Sequence, residues 1–167
     1  IYEQLEHASD IARESKFKYA SCTPDLDKAR LRRQYLINRI QTVSREAGFE
    51  IWFQPIFNVN KNTFSSMEAL LRLKEKDGSY ISPAEFIPLA EKTGQIVPIT
   101  WFVIEEVCRA MSSCCEMKGK KVSINLPMVQ LIDPMFDKKL DKIVDRYGIS
   151  HNKIIFEFTE RVIIEDL

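Results

Sequence analysis

From Phe49 onward, short strand-like runs alternate with stretches whose apolar residues recur every three or four positions. FEIWFQPIF (49–57) has strand composition, and the turn-like NVNKN (58–62) leads into a second strand, SSMEALLRL (65–73). So short a turn lets the two strands pair antiparallel. Period two puts Phe64, Ser66, Glu68, Leu70 and Arg72 on one face of the second strand, and Ser65, Met67, Ala69, Leu71 and Leu73 on the other. SPAEFIPLAEKTG predicts a helix with a capping box of Ser82 and Glu85, Pro83 in first position, Gly94 at its end, and a kink or split at Pro88. A long helix is predicted from Pro98 to about Met117, then a short strand, VSINLP (122–127). DPMFDKKLDKIVDRYG predicts a helix capped by Asp133, with Phe136, Leu140, Ile143, Val144 and Tyr147 as its stripe and Gly148 as its end. KIIFEFTE (153–160) supplies another strand. Strand, helix, strand, helix, strand is the order of a parallel α/β sheet or barrel.

Before Phe49 the texture is different. Residues 1–14 carry Leu5, Ala8 and Ile11 or Ala12 at helical spacing, and an extended piece, FKYASC, follows. Pro24 to Ala47 forms a second helical pattern with Leu36, Ile40, Val43 and Ala47 as its stripe and Gly48 as its stop. A linker helix over 24–48 is the economical reading. The chain starts with Ile1 rather than Met, so it is expected to be a piece of a longer polypeptide.

A chain of 167 residues, 45% hydrophobic and 29% charged, has the make-up of a soluble globular protein with a real core. Twenty-four basic residues cancel twenty-four acidic ones, so no overall field recruits a DNA or RNA polymer or a membrane surface. Phosphate binding must then be local. No apolar run is long enough to span a bilayer. Cys22, Cys108, Cys114 and Cys115 form no CxxC pair and have no histidine at ligand spacing, as expected of reduced structural thiols in a cytoplasmic protein.

Three of the strands each carry an oxygen-bearing side chain in apolar surroundings: Glu68 in MEALL, Asn125 in SINLP and Glu157 in IFEFTE. A carboxylate is seldom placed among apolar residues without a partner, because desolvating its charge costs several kcal/mol. Any one of them alone reads as a paired core glutamate; three in register suggest a site. Two carboxylates and an amide oxygen suit Mg²⁺ or Mn²⁺ and do not suit zinc or copper. In a parallel barrel they would converge at the carboxyl ends of the strands. Arg72, on the face of Glu68, could meet a phosphate with its planar fork or pair with a barrel carboxylate, and the pattern leaves both open.

FQPIF, MEALLRL, ISPAEFIPLAEKTGQI, the tryptophan of ITWFVIEEVCRA, VSINLP, QLIDPMF and IFEFTE occur in the order and spacing of EAL domains, the cyclic-di-GMP phosphodiesterases of bacteria. The resemblance covers about residues 49–167 and includes the naming tripeptide Glu68-Ala69-Leu70. It implies a (β/α)8 TIM-barrel-like fold, of which this chain holds roughly the first half behind its N-terminal helical linker. It implies an Mg²⁺- or Mn²⁺-dependent hydrolysis of cyclic-di-GMP to a linear dinucleotide by the intact parent, with two ions in the intact domain and this chain alone inactive. Carried over residue by residue, Glu68, Asn125 and Glu157 fall on metal ligands; Gln54, Leu70 and Arg72 fall on substrate-contacting positions. Glu160 matches the second acid of the ExTE motif, so that Glu68, Glu157 and Glu160 form the catalytic set. Residues 1–23 resemble the tail of a GGDEF domain, a neighbour in cis, and pairing of EAL domains into a homodimer is expected.

Pro127 stands where the family often has serine, a change that removes no ligand. The family's later acidic pair, lysine and glutamates would lie beyond Leu167. The rival reading is therefore a catalytically inactive EAL domain that acts as a cyclic-di-GMP receptor or a protein-interaction module. His7 and His151 are expected on the surface, and Trp52 and Trp101 in the core or an interface rather than as base-stacking platforms.

Overall fold

A computed structural model describes residues 24–158. The chain divides into two compact units, the first ending at Thr42 and the second starting at Val43. In the first, helix α1 spans Pro24–Ile40, with Asp25 and Asp27 in its first turn and Arg39 in its last, which suits the helix dipole. It stops at Ile40, short of the expected Ala47. Further along, the Ser44 hydroxyl accepts the Ala47 N–H at 3.1 Å and Gly48 bonds back to the Arg45 carbonyl at 2.9 Å, a local alternative to helical bonding. Gly48 has φ 94, a turn conformation that glycine adopts without steric cost.

The second unit holds strands β1 (Phe49–Asn58), β2 (Thr63–Lys74), β3 (Tyr80–Ile81), β4 (Lys121–Leu126) and β5 (Ile154–Phe158) in one sheet. β1 runs antiparallel to β2, while β2, β4 and β5 are mutually parallel in that order. The tiny β3, which no pattern announced, pairs with the far end of β2. The parallel β2, β4 and β5 follow the order the alternation predicted, and β1 with β2 forms the expected antiparallel pair. Between the parallel strands run helices α2 (Pro83–Lys92), α3 (Ile96–Ser113), α4 (Met128–Leu131) and α5 (Phe136–Tyr147).

The strand periodicity sorts the sheet into two faces. Met67, Ala69 and Leu73 of β2 and Val122, Ile124 and Leu126 of β4 are buried on the helix-covered face. Phe86 and Ala90 of α2, Ile99, Val103 and Val107 of α3, and Ile143 and Val144 of α5 supply the helices' part of the core. Burying one such aliphatic side chain is worth about 1.5–3 kcal/mol, an upper bound for a compact denatured state. At the start of β1, Phe49 is fully buried, its ring centroid 6.4 Å from that of Phe86 and 6.0 Å from that of Phe102. Phe136 lies edge-on to Phe156 at 5.6 Å, tying α5 to β5.

Several local expectations change. Ser82 is extended at the start of α2, yet its side chain makes no capping bond, so the expected capping box is not formed through the serine. Pro88 lies inside α2 without splitting it. α3 ends at Ser113, and Cys115–Met117 forms a separate 3-10 turn in place of the predicted continuation to Met117. Asp133 acts one turn before α5: its carboxylate accepts the Met135 N–H at 2.9 Å, and its carbonyl accepts that of Phe136 at 2.9 Å. At the other end Gly148 closes α5 with φ 64, as predicted.

Candidate functional site

The uncovered face of the sheet holds Gln54, Glu68, Arg72, Asn125 and Glu157, the residues the sequence singled out. Gln54 of β1 lies directly opposite Glu68 of β2, Glu68 lies beside Ser123 of β4, and Asn125 of β4 lies beside Glu157 of β5. Neighbouring strands are about 4.8 Å apart, so these side chains rise from one surface within reach of a common ligand. The Asn125 amide nitrogen donates to a Glu68 carboxylate oxygen at 3.0 Å. That bond joins residues 57 positions apart in sequence and shows that the strand register brings two of the three proposed ligands together. Asn125 and Glu157 are exposed, and Glu68 is half-buried. Among the described residues no three His, Cys, Asp or Glu side chains converge as a preformed metal cluster.

The donor chemistry nevertheless suits a hard divalent cation. Glu68 and Glu157 bring negative charge, Asn125 brings a neutral oxygen, and among the described residues no Cys or His is paired beside them on this face. Ser123, 3% exposed and set between Glu68 and Ile155, has a buried hydroxyl with no hydrogen-bond partner among the described residues.

Leu70 and Arg72 lie further along the same face, past the last β2–β4 pair, Ala69 with Ile124. There the strands part, and a cavity of about 310 Å³ opens, walled by Leu71, Ile87, Ile99 and Val103 with Arg72 and Asn125 at its edge. Arg72 donates one N–H to the Leu71 carbonyl at 2.9 Å, and its guanidinium carbon lies 5.3 Å from the centroid of the Trp52 ring. Among the described residues it has no carboxylate partner, so the salt bridge left open by the sequence is not made there. Trp52, expected in the core or an interface, is outside the core, 48% exposed and paired with Leu70 on the site face. Period two from Gln54 was the signal that could have placed it. Trp101 is half-buried against Phe136 at 5.3 Å. His151 is exposed, with Asp141 at 2.8 Å. Glu160, His7, Cys22 and the GGDEF-like stretch 1–23 lie outside the described residues.

The EAL domain family matches residues 37–167. This chain belongs to the EAL domain family. Among curated relatives, the cyclic di-GMP phosphodiesterase PA2567 of Pseudomonas aeruginosa is 30% identical over 164 residues, covering 95% of this chain and 27% of that protein. The probable cyclic di-GMP phosphodiesterase PdeG of Escherichia coli is 36% identical over 112 residues, 66% of this chain and 22% of that protein. Among solved structures, the PaMucR phosphodiesterase in complex with c-di-GMP superposes with a TM-score of 0.70 at 26% identity, covering 79% of this chain and 54% of that one. The EAL enzyme Bd1971, in its cGMP-bound form, superposes at 0.71 with 23% identity, 84% of this chain and 40% of that one, and supports the fold. The chain thus spans about a quarter of the length of these curated relatives and covers part of the TIM-barrel-like EAL domain. EAL phosphodiesterases are metal-dependent. No helix among the described residues is long and apolar enough to cross a membrane.

Proposed function

We propose that a complete EAL domain containing this chain hydrolyses cyclic-di-GMP to the linear dinucleotide pGpG, and that Glu68, Asn125 and Glu157 hold the catalytic Mg²⁺ or Mn²⁺. The observation that carries this reading is the register that sets Glu68, Asn125 and Glu157 on one face of three adjacent parallel strands, with Gln54 and Arg72 beside them. When bound, the divalent ion supplies Lewis acidity at the phosphate and lowers the pKa of water.

The chain's own residues do the rest. Glu68 and Glu157 provide the negative charge a cation needs, and the bond from Asn125 to Glu68 fixes that carboxylate's orientation. Arg72 keeps guanidinium donors for a phosphodiester oxygen, and Gln54, opposite Glu68, offers both a donor and an acceptor to the nucleotide. Water attacks phosphorus in line, one P–O3′ bond breaks, and the products are a 5′-phosphate and a 3′-hydroxyl on one opened chain. Glu160 is proposed to order the neighbouring loop. The same reading sets the domain in a cytoplasmic signalling protein, paired as a homodimer with a GGDEF-like domain in cis.

The test is an assay of the complete domain with cyclic-di-GMP and Mn²⁺, the products being separated by chromatography. Accumulation of pGpG that stops on chelation supports the proposal. Tight nucleotide binding without turnover would replace it with a receptor role.

A further inference from the structure

Arg72 sits in an arrangement that its ion-pairing chemistry alone does not explain. Directly across from it on β1 is a carboxylate, Glu50, on the same sheet face. Opposite charges at such a cross-strand position ordinarily pair. Here Glu50 is engaged elsewhere: it accepts the Tyr80 hydroxyl at 2.8 Å and the Trp52 indole N–H at 3.4 Å, and lies 3.7 Å from the Lys74 ammonium. Tyr80 and Trp52 also pack edge to face at 5.2 Å. Arg72 is left with a backbone bond to Leu71 and the face of Trp52.

From this geometry we infer that Trp52 and Tyr80 are positioning residues for substrate binding: Tyr80 draws Glu50 away from Arg72, and the Trp52 ring shelves the guanidinium so that its fork stays open for a phosphodiester. This rests on the cyclic-di-GMP reading above. The two aromatic residues act through Arg72 and need not touch the nucleotide. An aromatic shelf restricts a guanidinium without consuming its in-plane donors, whereas a carboxylate partner would occupy them. Three strands contribute to the device: β1 brings Glu50 and Trp52, β2 brings Arg72 and Lys74, and β3 brings Tyr80. The placement of Tyr80 opposite Lys74 gives the two-residue β3 a purpose beyond closing a turn.

The experiment is calorimetric titration of cyclic-di-GMP into the complete domain in metal-free buffer, which removes turnover. Trp52→Ala should weaken binding by about fivefold, the scale of a partly desolvated cation–π contact. In an Arg72→Ala background the same change should cost nothing more, because the shelf then has nothing to hold. Tyr80→Phe should weaken binding by roughly threefold by freeing Glu50 to pair with Arg72, and adding Glu50→Gln should restore it. That rescue separates positioning from damage to the sheet, since Glu50→Gln repairs no packing. Wild-type binding by Trp52→Ala, additive losses for Trp52→Ala and Arg72→Ala, or no rescue by Glu50→Gln overturns the inference and leaves the substrate reading intact. Absence of binding by the unaltered domain overturns both.

Discussion

The two faces of the central sheet are built from the same strands and differ in almost everything else. On the helix-covered face Met67, Ala69, Leu73, Val122, Ile124 and Leu126 are buried and apolar. On the open face Gln54, Glu68, Arg72, Asn125 and Glu157 are exposed or half-buried and polar. Adjacent residues in sequence thus belong to different tasks: Met67, Ala69 and Ile124 hold the fold, while Glu68 and Asn125 offer oxygens to a ligand. The lesson is that period two lets a single strand carry both stability and chemistry. Substitutions on one face should register in unfolding experiments, and substitutions on the other in binding and turnover.

The largest expected stability effect comes from the covered face. Ile124→Ala in the complete domain should lower unfolding free energy by about 2–5 kcal/mol in urea while leaving its nucleotide affinity near that of the unaltered protein. A loss of affinity at constant stability would break the division between faces. Away from both faces, Gly148→Ala should cost about 1 kcal/mol, because a β-carbon is strained at φ 64 even though nothing lies within 4 Å of it.

Chemical labelling sharpens the same contrast. Burial pushes the Cys108 thiol up to about 11, whereas Cys115 is exposed. An alkylating reagent at neutral pH should therefore modify Cys115 and spare Cys108 in the native state, as peptide mass mapping would show. Equal labelling would mean that the covered face opens readily.

The smallest effect is a pH dependence on the open face. The Tyr80 hydroxyl bond, followed by weaker help from Trp52 and Lys74, holds the Glu50 carboxyl below its usual 4.5. A lowered folded-state value means the contribution to stability is present above 4.5 and fades as pH falls through the folded-state value. The stability difference between the unaltered domain and Glu50→Gln should accordingly shrink on acidification. A difference that grew towards acid would contradict the Glu50–Tyr80 arrangement.

Much of this was legible in the sequence because strand periodicity and turn residues act locally. FEIWFQPIF, SSMEALLRL, VSINLP and KIIFEFTE each marked a strand, and Glu68 and Asn125 were placed on a shared surface before any contact was known. Other features depended on partners distant in the chain. The freedom of Arg72 follows from where Glu50, Tyr80 and Lys74 turn. β3 is too short to show a period. The end of α1 was misjudged where a side chain favoured another local bond, Ser44 accepting the Ala47 N–H; α2 starts at Pro83 as predicted, although Ser82 makes no capping bond.

The most direct measurement compares two neighbours, Glu68 and Met67, in the complete domain by titrating Mn²⁺ calorimetrically and unfolding each variant in urea. Glu68→Gln should weaken cation binding by at least about a hundredfold with stability nearly unchanged, because it removes a charged oxygen ligand. Met67→Ala should do the reverse, lowering stability by roughly 2–4 kcal/mol with cation affinity retained. If Glu68→Gln bound the cation as tightly as the unaltered domain, the open face would not be the metal site and the proposed chemistry would fall with it.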